Sequence, residues 1–176
     1  MSFNVAKAQP GIGSQFDSLI TQASGTYSVP VALIKAIISQ ESAWNPAAVN
    51  PSDPSYGLMQ LNSHYWTING QPILDPAANI DTGTRFLAQL LGQYGPDLSQ
   101  VISAYNAGHP ITGNAPYVQD VLAYYNWFQL NDPLLQTGGG VLPGDGSIPG
   151  WPSDKDLQLI LGIVVGIGLL IVALKR

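Results

Sequence analysis

Residues 30–61 read P-V-A-L-I-K-A-I-I-S-Q-E-S-A-W-N-P-A-A-V-N-P-S-D-P-S-Y-G-L-M-Q-L, and at their centre stands Glu41, the sole glutamate of a 176-residue chain. Ile34, Ile37, Ile38 and Glu41 follow the i, i+3, i+4, i+7 spacing, so a helix presents them on one face. Burial disfavours the ionised form of a carboxyl and raises its pKa, which suits a general acid near neutrality. A helix-end carboxylate that escapes to solvent or meets a cation fits the same periodicity, and the pattern alone does not choose between the two readings.

Outward from this stretch, Ser28 and Pro30 announce the helix, and Asn45-Pro46 should stop it, because the residue before proline is pushed out of the α region. Ahead of it a helix is expected from about Ser14 to Ala23, with Phe16, Leu19, Ile20 and Ala23 on one side and Gly25 near its end. Residues 45–56 form a proline-rich loop. Asp53 there reads as a turn-forming aspartate, with a catalytic role as the alternative. Asp75-Pro76 is a cap and first-turn pair opening a helix with Ile80, Thr84, Leu87, Leu90 and Leu91, to about Tyr94. Gly95-Pro96 breaks it. Asp97 or Leu98 starts a shorter helix to about Asn106, and Pro116 to Gln129 is the last helix, with Val118, Val121, Leu122, Tyr125 and Phe128 as its apolar face and Asp120 on its polar side.

The expected organisation is therefore a mainly α domain over residues 1–130, a Gly/Pro-rich linker over 131–153 and a C-terminal segment over 154–176. Leu157 to Leu174 is an apolar run whose one polar side chain is Gln158. Its length as a helix, about 27 Å, is near the thickness of a bilayer core. A membrane span is expected, with Trp151 and Lys175-Arg176 at the two interfaces and the basic end on the cytoplasmic side. Gly162 and Gly166 form a G-x-x-x-G that offers helix pairing. Such a uniformly apolar helix is a poor pore former.

Composition narrows the function. A formal charge of −5 and a pI near 4.5 argue against nucleic acid as a partner. Cysteine is absent. His64 and His109 have no H-x-x-x-H pairing or clustered partners, so neither a metal nor a cofactor is expected. The N-terminus lacks the apolar core of a secretory signal.

Glu41-Ser42, Gly57-Leu58-Met59-Gln60, Ala104-Tyr105-Asn106-Ala107-Gly108 and Tyr117-Val118 recur in order, with D-P-A-A-N-I-D-T-G between the two halves. With these the chain resembles the soluble-type lytic transglycosylases, related in fold to goose-type lysozyme, over about residues 14 to 128. The resemblance implies cleavage of the β-1,4 bond between N-acetylmuramic acid and N-acetylglucosamine in peptidoglycan, with a 1,6-anhydro product. It makes Glu41 the lone catalytic acid–base. It makes Ser42 a helper of the carboxylate or substrate, against a plain helix C-terminal hydroxyl. Met59 and Gln60 line the cleft in this pattern, although a core role also fits Met59. Tyr105 and Asn106 come from the Y-N-A-G turn, where the Tyr105 ring can stack on a sugar and its hydroxyl can bond Glu41. Tyr117 matches the second cleft tyrosine.

Ordinary glycosidases need two carboxylates, so an inverting hydrolase using Asp53 or Asp81 stays open as an alternative. So does an inactive, membrane-anchored wall-binding or structural protein. The expected setting is a membrane with the helical domain on the wall-facing side: the internal membrane of a lipid-containing phage particle that opens the wall on entry, or a bacterial envelope machine.

Overall fold

The computed structural model describes residues 4–136, and its architecture grows from one helix buried all round. Of helix α2 (Val31–Glu41), Val31 to Ser39 are buried without interruption, with Ile34, Ile37 and Ile38 at 0% exposure. A helix apolar on every side belongs in the middle of a core. α1 (Asp17–Tyr27) and α5 (Ala115–Asn131) pack on α2, α3 (Pro76–Tyr94) lies along α1, and α4 (Leu98–Ala107) bridges α3 and α5. The expected mainly α architecture is what the chain adopts.

Burying α2 on all sides also buries Lys35, at 2% exposure. An unpaired ammonium there costs several kcal/mol. Asp17 Oδ1 and Asp132 Oδ2 each lie 2.7 Å from Lys35 Nζ. Asp132 joins α5 to the short α6 (Pro133–Gln136) and is itself buried. The folded unit thus runs at least to residue 136, past the boundary expected at 130, because the core charge needs a partner from the far end of α5.

Helix ends differ from expectation where tertiary contacts intervene. A 3-10 turn (Ser14–Phe16) precedes α1, which passes through Gly25 and ends on Ser28 in the left-handed region, φ 56°. Pro30 is the N-cap of α2, its carbonyl accepting from Leu33 and Ile34 N–H. α2 stops at Glu41 rather than just before Pro46, since Ala43 and Trp44 both take positive φ (48° and 69°). That turn swings the Trp44 ring inward, where it meets Phe128 edge-on at 6.2 Å and Nε1 donates to Ser39 Oγ and Lys7 O at 3.0 Å. Gly13 accommodates the ring: a Cβ there would stand 1.9 Å from Trp44 Cε3. Burial of an indole against these partners offsets two left-handed residues, each costing about 1 kcal/mol or more.

Asp75 caps α3 by accepting from Ala78 N–H, and Asp97 caps α4 by accepting from Ser99 and Gln100 N–H, both as expected. Asp120 is a correction. It is buried at 6% exposure, because α5 is covered on more of its circumference than one apolar face implies.

Between α2 and α3 the chain is not merely loop. β1 (Val49–Asn50), β2 (Ser55–Tyr56) and β3 (Leu61–Asn62) form an antiparallel three-stranded sheet, and β4 (Thr67–Ile68) pairs with β5 (Gln71–Pro72) around Asn69-Gly70. Asn-Gly with both residues at positive φ is a tight hairpin turn readable in the sequence. Among the described residues no helix is long and apolar enough to cross a membrane. The expected span Leu157–Leu174, its Gly162/Gly166 pair and residues 137–153 of the expected linker lie outside the described residues.

Candidate active site

Glu41 is the last residue of α2, and the Ala43-Trp44 reversal leaves its side chain half-buried at the helix end. The Tyr117 hydroxyl, from the first turn of α5, donates to Glu41 Oε1. Desolvation by burial pushes the Glu41 carboxyl up to about 7, against the Tyr117 hydrogen bond and the Lys7 charge, which both pull it down. Burial and the Glu41 charge in turn hold the Tyr105 and Tyr117 phenols well above their usual pKa, so both remain protonated donors.

Tyr105 does not bond Glu41. Its hydroxyl donates to Met59 O at 2.8 Å. This ties α4 to the loop between β2 and β3 and leaves the Glu41 hydrogen bond to Tyr117. The expected Ser42 helper role is also not what its contacts serve. Ser42 Oγ donates to Ile38 O at 3.2 Å and its N–H bonds the same carbonyl, so it terminates α2.

Met59 is fully buried and its side chain is a core group, not a cleft wall. Its backbone N–H donates to Asn79 Oδ1 at 2.8 Å. Asn79 Nδ2 donates to Tyr56 O at 2.9 Å and Ile73 O at 2.7 Å, so one buried amide pins the whole Tyr56–Met59 turn. Gly57, φ 77°, must be glycine there, since a Cβ would stand 2.4 Å from Asn79 Nδ2. On the facing turn of α3, a Cβ on Gly83 would stand 2.5 Å from Met59 Sδ. The D-P-A-A-N-I-D-T-G stretch thus supplies a cap (Asp75), a pin (Asn79) and a gap for Met59 (Gly83). Asn79 escaped the sequence reading, although an asparagine inside an apolar helix pattern signals a buried amide with partners.

Gln60 sits at φ 47° with Nε2 donating to Gly57 O at 2.9 Å and Ala48 O at 3.2 Å, which fixes its amide. It lines a cleft of about 540 Å³ together with Tyr105, Asn106, Asp53, Asn62, Trp66 and Phe86. Trp66, Phe86 and Tyr105 form a continuous aromatic wall, with ring centroids 5.4 and 5.5 Å apart. Such faces suit the apolar sides of sugar rings. Trp66 and Phe86 were missed because they lie outside the quoted motifs. Asn106 is exposed on the rim, 3.4 Å from Asn114 Nδ2. Asp81 accepts from Tyr27 at 3.0 Å and does not line this cleft. Among the described residues no group of three or more His, Cys, Asp or Glu side chains could hold a metal ion.

A protonatable carboxyl at a helix end, clasped by a tyrosine, is the arrangement the motifs implied. Glu41 and Tyr117 are not among the residues lining the aromatic-walled cleft; Tyr105, which does line it, feels the Glu41 charge. The family model described as the Transglycosylase SLT domain matches residues 18–127. The chain belongs to this family. It is 39% identical over 109 residues to the membrane-bound lytic murein transglycosylase C of Shigella sonnei (strain Ss046), covering 51% of this chain and 30% of that protein. The 70-kDa soluble lytic transglycosylase of Escherichia coli superposes with a TM-score of 0.59 at 26% identity, over 68% of this chain and 25% of that one. The same enzyme type in complex with bulgecin A gives 0.58 at 26% identity, over 77% and 26%. The lysozyme-like helical SLT fold is therefore established, and the chain spans 30% of the length of the curated relative it matches. The family match begins after Lys7, whose charge acts on Glu41, and ends before Asp132, which neutralises Lys35.

Proposed function

We propose that this protein is a peptidoglycan lytic transglycosylase with Glu41 as its single acid–base. The observation that carries the reading is the Glu41 carboxyl, raised to about 7 and clasped by Tyr117 at the end of α2. Near neutrality such a group is partly protonated and can both give and take a proton.

In the first half of the reaction Glu41 protonates the glycosidic oxygen as the bond from it to muramic C1 breaks. The resulting carboxylate then takes the proton of the muramic 6-hydroxyl while O6 closes on C1. A 1,6-anhydro ring forms, Glu41 returns to its acid form, and no water is consumed. Tyr117 steadies the carboxylate form between the two steps, and the aromatic wall with the fixed Gln60 amide is suited to hold the sugars. The likeness to lytic transglycosylases supports this activity, as does membership of the SLT family.

Asp53 on the cleft is the residue on which an inverting hydrolase would rest. Product analysis by mass spectrometry separates the two: anhydro-muramic ends are expected, and reducing muramic ends refute transglycosylation. Glu41→Gln should lose the activity, and full retention would leave a wall-binding role instead.

The membrane part of the proposal rests on the apolar sequence Leu157–Leu174, with the G-x-x-x-G of Gly162 and Gly166 for pairing, and on the likeness to a membrane-bound Shigella transglycosylase. The domain would then work on the wall-facing side of a membrane. Fractionation decides between a virion membrane and a bacterial envelope.

A further inference from the structure

The cleft carries a charge that the reaction above does not use. Among its lining residues Asp53 is the one acidic side chain, and none is basic. It stands in the Pro51–Pro54 turn between β1 and β2, where the two prolines restrict the backbone and the Ser55 N–H donates to its carbonyl at 2.5 Å. Asn62, paired with Ser55 across the ladder, donates Nδ2 to Asp53 Oδ1 at 2.5 Å. One carboxylate oxygen is thus anchored, and Oδ2 makes no hydrogen bond among the described residues.

No cation lines the cleft to neutralise this charge. What stands with it on the same cleft is aromatic: Tyr65, 81% exposed, and Trp66, backed by Phe86. A carboxylate and aromatic faces on one cleft are a combination that attracts an ammonium, through the charge and through the ring quadrupoles. Sugar hydroxyls can be met on this cleft by the Gln60 and Asn106 amides, which carry no net charge.

We infer that the Asp53–Asn62 corner of the cleft is a subsite for a primary ammonium group on the wall polymer. The inference rests on the peptidoglycan reading above. Such an ammonium has two sources, a side-chain amine of the stem peptide or the amine of a de-N-acetylated sugar.

The test is steady-state cleavage by the full chain on purified wall and on the same wall after exhaustive acetylation of its free amines. Acetylation should raise KM about three- to fivefold, the scale of one solvent-exposed ion pair. Asp53→Asn should show the raised KM on untreated wall and no further response to acetylation. Peptide-free glycan strands, partly de-N-acetylated or fully acetylated, assign the source: a response there places the ammonium on the sugar, and a response only with peptide-bearing wall places it on the stem. A wild-type protein indifferent to acetylation on both substrates overturns the subsite. So does an Asp53→Asn variant that keeps the full response, or one that loses kcat at unchanged KM, which would make Asp53 a reacting group. Failure of the wild type to cleave untreated wall at all would refute the peptidoglycan reading itself and the subsite with it.

Discussion

Tyr117 and Glu41 are 76 positions apart in sequence, and the Tyr117 hydroxyl donates to the Glu41 carboxyl where the first turn of α5 meets the end of α2. The bond stabilises the ionised carboxylate, opposing the desolvation that raises its pKa. Removing it in Tyr117→Phe should therefore move the Glu41 pKa higher still, above about 7. The basic limb of the kcat/KM profile, where the acid form is lost, should shift to higher pH, and kcat should fall about 10- to 100-fold. An unchanged or downward-shifted basic limb would show that this hydroxyl does not act on Glu41.

Lys7 acts on the same carboxyl from the N-terminal 3-10 turn, Val5–Lys7, whose last carbonyl is held by Trp44 Nε1. Its positive charge favours the carboxylate, so Lys7→Met should also raise the Glu41 pKa. The expected shift of the basic limb is smaller than for Tyr117→Phe, because a half-buried charge is partly screened, and it should shrink in high salt. A Lys7→Arg protein should restore the wild-type profile. The pH–rate series at low and high ionic strength provides the check.

Glu41→Gln carries a stability consequence separate from activity. A carboxyl raised from 4.5 to about 7 in the folded state favours the protonated form, so folding gains from it fully below pH 4.5 and loses that gain as pH rises through about 7. The glutamine variant has no such loss. It should be more stable than wild type at pH 8 than it is at pH 4, the difference being at most about 3 kcal/mol and less for a half-buried side chain. Urea denaturation of both proteins at the two pH values measures it, and a pH-independent difference contradicts the raised pKa.

Lys35 binds Asp17 and Asp132 inside the core. Asp132→Ala strips one of two partners from a buried cation and, with Asp17 still in place, should cost about 1.5–3 kcal/mol. Lys35→Met combined with Asp132→Asn should cost less than Asp132→Ala alone, since no buried cation short of a partner remains. Denaturation midpoints of the two variants give the answer, and equal losses would mean that the pair is not energetically coupled.

How the chain reaches this arrangement divides between local and tertiary causes. Asp75 and Asp97 as caps, the Gly95-Pro96 break and the apolar face of α3 depend on chemistry within a few residues, and they stand where the sequence places them. The order of the motifs likewise carries the likeness to the SLT family in the sequence alone. The end of α2 could not be read this way, because Trp44 turns inward for contacts with Gly13, Ser39 and Phe128 that are distant in sequence or invisible in a helical pattern. Which tyrosine holds Glu41 is of the same kind. Tyr105 and Tyr117 are equivalent as residues, and only the packing of α4 and α5 sends one hydroxyl to Met59 O and the other to the carboxylate. Periodicity left Glu41 balanced between a buried acid and an exposed helix end. The tertiary structure gives it something of both, a half-buried residue whose carboxyl is desolvated enough to be raised to about 7. Desolvation is a property of everything packed around a group, and no local stretch of sequence contains it.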